Sequence, residues 1–254
     1  MTHARLKRLL LLTAYQSPMA MRTLLILRPV DRNALRDPGR WEPEYRDGGW
    51  DWLWNSREAI HHQVIAAYSK ALAGKAAILD VGCGEGVLHD ALRCVGYERY
   101  TGIDLSATAV ARAARSSDER MHFVVADAET FETAERFNLI VLNECLYYLA
   151  DPPALLARLA RFLEPGGAFI ISMAMGGLAD GLLMLSLWRD LERDFAVREE
   201  VSLLQDPGSL RIIKILQPLQ RDGYSRTRPP NARITQTDTR HTTTTIDKAQ
   251  RSHM

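Results

Sequence analysis

The stretch ILDVGCGEG, residues 78–86, decides the fold. A short apolar run passes through Asp80 and meets three glycines at alternate positions, Gly82, Gly84 and Gly86. Glycine is costly inside regular structure, so three so close together mark a turn that needs them. The preceding AAILDV (76–81) is a continuous apolar run, the pattern of a strand buried on both faces. The following Val87–Val95 reads as a helix. Gly82 lets the chain turn sharply, Gly84 lets backbone approach a ligand, and Gly86 lets the helix pack near the strand. The helix N-terminus adds unpaired N–H groups. Taken alone, a GxG turn is more often structural than ligand-binding.

Working outward, strands and helices alternate. RYTGID (99–104), HFVVAD (122–127), FNLIVLNE (137–144) and AFIISM (168–173) read as strands. Ser106 caps a helix reaching about Ser116. Asp151 caps another that opens on Pro152, carries Leu155, Leu156, Leu159, Phe162 and Leu163 as its apolar stripe, and stops at Pro165-Gly166-Gly167. Leu182–Phe195 is a further helix, and VREEVSLL and LRIIKIL flank QDPGS as a hairpin. Ahead of the glycine turn, Ser56 opens a helix to about Ala73 with Ile60, Val64, Ile65 and Tyr68 on one face. Strict alternation implies a parallel sheet with right-handed crossovers. The fold class is therefore α/β: a doubly wound, mostly parallel sheet with a terminal antiparallel hairpin and helices on both faces. Residues 1–40 form a poorly defined extension, 41–75 a helical cap, and 76–220 the core. Residues 221–254, rich in Thr, Arg and Pro, are expected to be a disordered tail.

The 254 residues are 46% hydrophobic and 25% charged, enough for one well-buried domain with extensions or two small ones. The overall charge of +1 hides basic ends around a middle, 41–220, of net charge −9. An acidic middle is poorly suited to gripping phosphate backbones, and the ends read as solvated, so neither nucleic acid nor membrane is expected as a partner. The three cysteines, Cys83, Cys94 and Cys145, form no CxxC pair. They make no disulfide framework or zinc site and fit a reducing, cytoplasmic setting. The start, MTHARLKRLLLLTAYQSPMA, faintly resembles a signal peptide, but its apolar run is short and is interrupted by Thr13, Tyr15 and Gln16. No run approaches the roughly 20 apolar residues of a membrane span.

The glycine spacing separates two ligand classes. The dinucleotide fingerprint is GxGxxG. Here position 87 is valine and the third glycine comes one residue early, giving D-x-G-x-G-x-G. That resembles the first motif of class I S-adenosylmethionine (SAM)-dependent methyltransferases, and the chain agrees with the family over about residues 45–220. The resemblance implies a Rossmann-like fold and SAM as cofactor. It implies that Gly82, Cys83 and Gly84 line the cofactor and that Asp80 orients the loop and the methionine amine, often through water. The second strand ends YTGIDLS, which places Asp104, with Leu105 beside it, to receive the ribose hydroxyls. Ser106 is already available as the helix cap. The third strand ends VVADAETF, which places Asp127, flanked by Ala126 and Ala128, at the adenine amino group. Asp127 could instead cap a short helix. In VLNECLYYLADP, Asn143, Glu144 and Leu146 pass under the methionine part, with Tyr147 or Tyr148 reaching the pocket. LEPGGAFIIS matches the family's turn into the fifth strand.

The function so implied is methyl transfer from SAM to a small-molecule acceptor. Methyl transfer is an in-line displacement, so alignment and water exclusion are the main demands on the protein. No recognisable set of metal-ligand carboxylates is present, so a metal-independent enzyme is expected. No motif-grade base stands out, and the catalytic residues stay unassigned. Cys83 has no paired histidine and is not read as a nucleophile. His61 and His62 lie on the helix before the first strand, where surface positions are the default and an active-site base is the alternative. Trp50, Trp52 and Trp54 either pack or line an acceptor pocket. Segment 41–58 loosely resembles the cap of bacterial small-molecule methyltransferases, some linked to sugars or secondary metabolites. Three alternatives stay open: a catalytically silent SAM-binding subunit, a protein or RNA methyltransferase, and a nicotinamide-dependent oxidoreductase. The early third glycine disfavours the last. NECL after the fourth strand replaces the (D/N)PP(Y/F) signature for planar amines. The acceptor, the atom methylated and the oligomeric state are not legible.

Overall fold

The computed structural model describes residues 38–54, 56–175, 178–205 and 209–219, with isolated positions 6, 13 and 17. The expected tail, 221–254, and most of the N-terminal extension lie outside the described residues.

The sheet has seven strands in the order β3-β2-β1-β4-β5-β7-β6. They are β1 (Ala77–Val81), β2 (Arg99–Asp104), β3 (Met121–Val125), β4 (Phe137–Asn143), β5 (Leu163–Met175), β6 (Phe195–Gln205) and β7 (Ser209–Pro218). The first five pair in parallel, and β7 is antiparallel to β5 and β6. The expected doubly wound sheet with a terminal hairpin is present. Its order reverses between β1 and β4, the place where such sheets open a crevice at their carboxyl ends.

Among the described residues from 38 onward, six α-helices flank the strands: α1 (Trp41–Arg46), α2 (Ser56–Ala73), α3 (Val87–Val95), α4 (Ala107–Ala113), α5 (Pro152–Leu159) and α6 (Leu178–Leu191). Every residue of β1 is buried, as its continuous apolar run requires. Its side chains alternate between two cores. Leu79 and Val81 join Leu142, Leu156, Phe169 and Trp188 on the α5–α6 face. Ile78 joins Ile65, Leu92, Tyr100, Val141 and Ile213 on the α2–α3 face. Ser106 caps α4 through Ala109 N–H, and Asp151 caps α5 through Ala154 N–H, both as the sequence implies. Among the described residues no helix is long and apolar enough to cross a membrane.

Several boundaries differ from expectation. Helix α5 passes into a 3-10 turn at Ala160–Phe162, and β5 already begins at Leu163. Pro165-Gly166-Gly167 is therefore an excursion within the strand, where pairing shifts from Phe137↔Leu163 to Leu139↔Ala168. Helix α6 runs four residues earlier than Leu182–Phe195 at both ends, and Phe195 starts β6. The hairpin turn at 206–208 lies outside the described residues, as does the Ser56 side chain. The face assigned to α2 needs the largest correction. Ile60 is 54% exposed, and the buried positions are His61, His62, Ile65, Ala66 and Ser69. Two histidines can turn inward because Arg211 of β7 supplies a polar partner to His61.

Candidate functional site

The carboxyl ends of β1, β2 and β4 open into one cavity of about 760 Å³. All nine residues singled out for the cofactor line it: Asp80, Gly82, Cys83, Gly84, Asp104, Leu105, Asp127, Ala128 and Asn143. The glycine turn is pinned to β2, because Gly82 and Cys83 N–H both donate to Ile103 O, at 2.8 and 3.0 Å. Gly82 has φ +71°, and a Cβ there would lie 2.8 Å from Cys145 Cβ. Gly84 has φ +52°, and a Cβ there would lie 2.6 Å from the Tyr45 hydroxyl. Both positions thus exclude side chains by conformation and by space.

Asp104 ends β2 and ties the loop together. Its Oδ2 accepts Gly84 N–H and its Oδ1 accepts Ser106 N–H, each at 2.9 Å. Burial pushes this carboxyl up, and the N–H groups of Ser106, Gly84 and Leu105 oppose the rise. A carboxylate has about four acceptor sites, so these backbone donors do not use up its capacity. Asp80 is buried in β1. Tyr100 O–H donates to its Oδ2 at 2.6 Å, while its Oδ1 is buried with no hydrogen-bond partner. Burial raises Asp80 from 3.8 to about 7; the Tyr100 bond opposes this and the Asp104 charge adds to it. Asn143 ends β4, and its Oδ1 is likewise buried without a partner. Asp127 does not cap a helix. Its Oδ1 accepts Glu129 N–H at 2.8 Å and heads a turn. Cys83 and Cys145 are pushed far up by burial and stay thiols.

Helix α1 and the residues after it meet this loop and α4. Glu42 of α1 accepts Ser106 Oγ–H at 2.7 Å, Thr108 N–H at 3.2 Å and the Thr108 hydroxyl. These bonds, Thr108 first, hold its carboxyl at about 2. A carboxylate at the start of α4 also suits the helix dipole. Glu85 of the glycine loop pairs with Arg112 of α4 at 2.5 Å and accepts Trp54 Nε1–H at 3.3 Å. Trp50 and Trp52 line the cavity, whereas Trp54 is half exposed and serves this clasp. Sequence reasoning missed Trp41 and Tyr45, which also line the cavity. Trp41 meets Tyr148 edge-on at 4.6 Å.

It also missed the wall formed by α2 and β7. Glu144 has φ +59°, the one positive φ outside glycine among the described residues. Its carboxylate accepts Ser172 Oγ–H at 2.5 Å, Ala174 N–H at 2.8 Å, Arg211 Nε–H at 2.8 Å and Tyr147 O–H at 3.2 Å. Arg211 Nη1 also meets His61 Nδ1 at 2.8 Å. Both histidines line the cavity, so the default of surface positions does not hold.

A family model described as a methyltransferase domain matches residues 53–206, well over half the chain. The chain belongs to the class I SAM-dependent methyltransferase family. The chain is 33% identical to nodulation protein S of Rhizobium tropici over 135 residues, 50% of this chain and 56% of that protein. It is 35% identical to the ubiquinone biosynthesis O-methyltransferase of Aromatoleum aromaticum over 106 residues, 40% of this chain and 44% of that protein. The match thus spans about half the length of these relatives. Its fold is similar to that of the N-methyltransferase NodS from Bradyrhizobium japonicum WM9, solved with S-adenosylhomocysteine. The TM-score is 0.55 and the identity 23%, over 66% of this chain and 91% of that one.

Proposed function

We propose that this methyltransferase transfers a methyl group from SAM to a small-molecule acceptor without a metal ion. The observation that carries the reading is the donor–acceptor pattern of the cavity. Asp80 Oδ1 and Asn143 Oδ1 are buried acceptors lacking a protein donor, and Asp104 keeps acceptor capacity beyond its backbone bonds. A ligand with an ammonium and a ribose diol suits this set. When bound, SAM supplies an activated methyl carbon on a sulfonium. Asp104 and Leu105 would hold the ribose side, Asp127 and Ala128 the adenine side, and Asp80 and Asn143 the amino-acid side. Gly82, Cys83 and Gly84 give the backbone its close approach. The cap, 41–75, would exclude water and select the acceptor, while 76–220 holds the cofactor.

A cavity of about 760 Å³ falls in the roughly 300–1,000 Å³ range of small-molecule sites. The aromatic cap over it supports a small acceptor rather than an RNA or protein chain. The free thiols Cys83, Cys94 and Cys145 suit a cytoplasmic protein. Thermal melting with S-adenosylhomocysteine, and with NAD as the control, tests the reading. Ligand at about 100 times its dissociation constant adds about 2.7 kcal/mol to the folded state. Stabilisation by the homocysteine product alone is expected. A shift with NAD alone would refute the reading. Binding without methylation of any acceptor would favour a silent subunit.

A further inference from the structure

One wall of the cavity is built by His61, His62, Glu144, Ala174 and Arg211; of these the sequence places only Glu144 near the cofactor, and the geometry gives it to the wall instead. Arg211 is buried and has hydrogen-bond donors only. Its bond to His61 Nδ1 therefore requires that nitrogen to accept, which makes the ring neutral and places its proton on Nε2. The His61 ring packs on His62, with centroids 4.0 Å apart. Burial first, and the Arg211 charge second, hold His62 at about 4, so it is an unprotonated imidazole at neutral pH. Glu144 and Arg211 neutralise each other at 2.8 Å, and three further donors complete the carboxylate. This wall therefore offers no spare negative charge for an ammonium acceptor. It offers a proton acceptor in a cavity that Trp41, Trp50 and Tyr148 also line.

We propose that the acceptor is an uncharged ring compound methylated on a hydroxyl oxygen, with His62 as the catalytic base and His61 and Arg211 as positioning residues. The proposal rests on the methyl-transfer reading above. The hydroxyl oxygen forms the C–O bond with the methyl carbon as the C–S bond breaks, and that bond's electron pair stays on sulfur. The O–H proton passes to the free ring nitrogen of His62 and then to solvent. A base held at about 4 does not strip the hydroxyl beforehand; it takes the proton as the C–O bond forms and the oxygen turns strongly acidic. An amine acceptor would need to arrive neutral and would leave His62 without a role.

The test uses the full chain, SAM labelled in its methyl group, and three probes: catechol, methyl β-glucoside and benzylamine. Label on catechol marks a phenolic acceptor, and label on the glucoside marks a sugar; either is the expected result. His62→Gln should then lower kcat by about 10²-fold or more, with affinity for S-adenosylhomocysteine unchanged. His61→Gln should lower kcat less and leave KM unchanged. Label on benzylamine alone overturns the hydroxyl assignment. So does label on none of the three while S-adenosylhomocysteine still binds. Undiminished hydroxyl methylation by His62→Gln overturns the base. Loss of all cofactor binding by the wild type would instead defeat the methyl-transfer reading. Nitrogen-15 NMR of the wild-type imidazoles is independent of any variant's folding. It should find the His61 proton on Nε2, and a proton on Nδ1 overturns the chain.

Discussion

Asp80→Asn should make the protein more stable and a weaker cofactor binder at the same time. The wild-type carboxyl is buried, takes one hydrogen bond from Tyr100 and leaves Oδ1 without a partner. Its rise from 3.8 to about 7, at about 1.36 kcal/mol per pH unit, is at most about 4 kcal/mol. The sign follows from proton counts. Between about pH 4 and 7 the folded state holds a proton on Asp80 that the unfolded chain has released, so this group costs stability as pH rises through that window. The variant keeps an oxygen for Tyr100 but does not titrate. Wild type and variant should be equally stable near pH 4 and diverge toward pH 8 in the variant's favour. Even a gain of about 1.5 kcal/mol moves Tm by about 3–6 °C for a domain of this size. His62 and His89 are both held at about 4. They act with the opposite sign, their contribution being lost as pH falls, so only the difference between the two proteins isolates Asp80. Losing a charge-assisted bond to an ammonium costs about 1.5–3 kcal/mol. Affinity for S-adenosylhomocysteine at pH 8 should therefore drop about 10- to 150-fold. Melting scans and calorimetric titrations from pH 5 to 8 provide both readouts. A stability difference that stays flat with pH, or an unchanged affinity, would refute the reasoning.

Asp104→Ala removes the acceptor that joins Gly84 and Ser106, and affinity for S-adenosylhomocysteine should fall by about 1.5–3 kcal/mol; unchanged affinity in a calorimetric titration rejects the ribose assignment. Gly82→Ala forces an L side chain into φ +71° and against Cys145 at 2.8 Å. It should cost about 1–3 kcal/mol in denaturant unfolding, and a neutral result would mean the turn relaxes freely. Glu42→Ala should lower Tm at pH 7, because the hydrogen bonds of Thr108 and Ser106 hold the carboxyl below its ordinary 4.5 at about 2. That stabilisation is present above about pH 4.5 and fades toward pH 2, so the Tm gap to wild type should narrow on acidification; a constant gap rejects the cap bond as its source.

What was legible in the sequence was what local chemistry decides. The glycine turn is read from Gly82 and Gly84 because each needs a positive φ and an empty Cβ position, and both are properties of one turn. Asp104 and Asn143 are read from strand ends, because parallel strands bring their carboxyl ends to one edge. The α2 wall escaped because its partner lies 150 residues away, on β7. A helix scored on apolar residues alone turns Ile60 inward, whereas Ile65 and Ala66 share their face with His61 and His62 by i,i+4 spacing. The stronger signal lay in LRIIKIL, which places two cations in an apolar strand, Arg211 and Lys214. A buried cation must find partners inside. Both do, on opposite faces: Lys214 with Glu192 and Glu200, and Arg211 with Glu144 and His61. Antiparallel pairing separates their roles. Lys214 sits opposite Ile171, back from the carboxyl end of β5, and does not line the cavity. Arg211 sits opposite Ala174, one residue from the carboxyl end of β5, at the level where the parallel strands open into the cavity. In a doubly wound sheet closed by a hairpin, a buried charge just after the hairpin turn is thus placed at the site by topology alone.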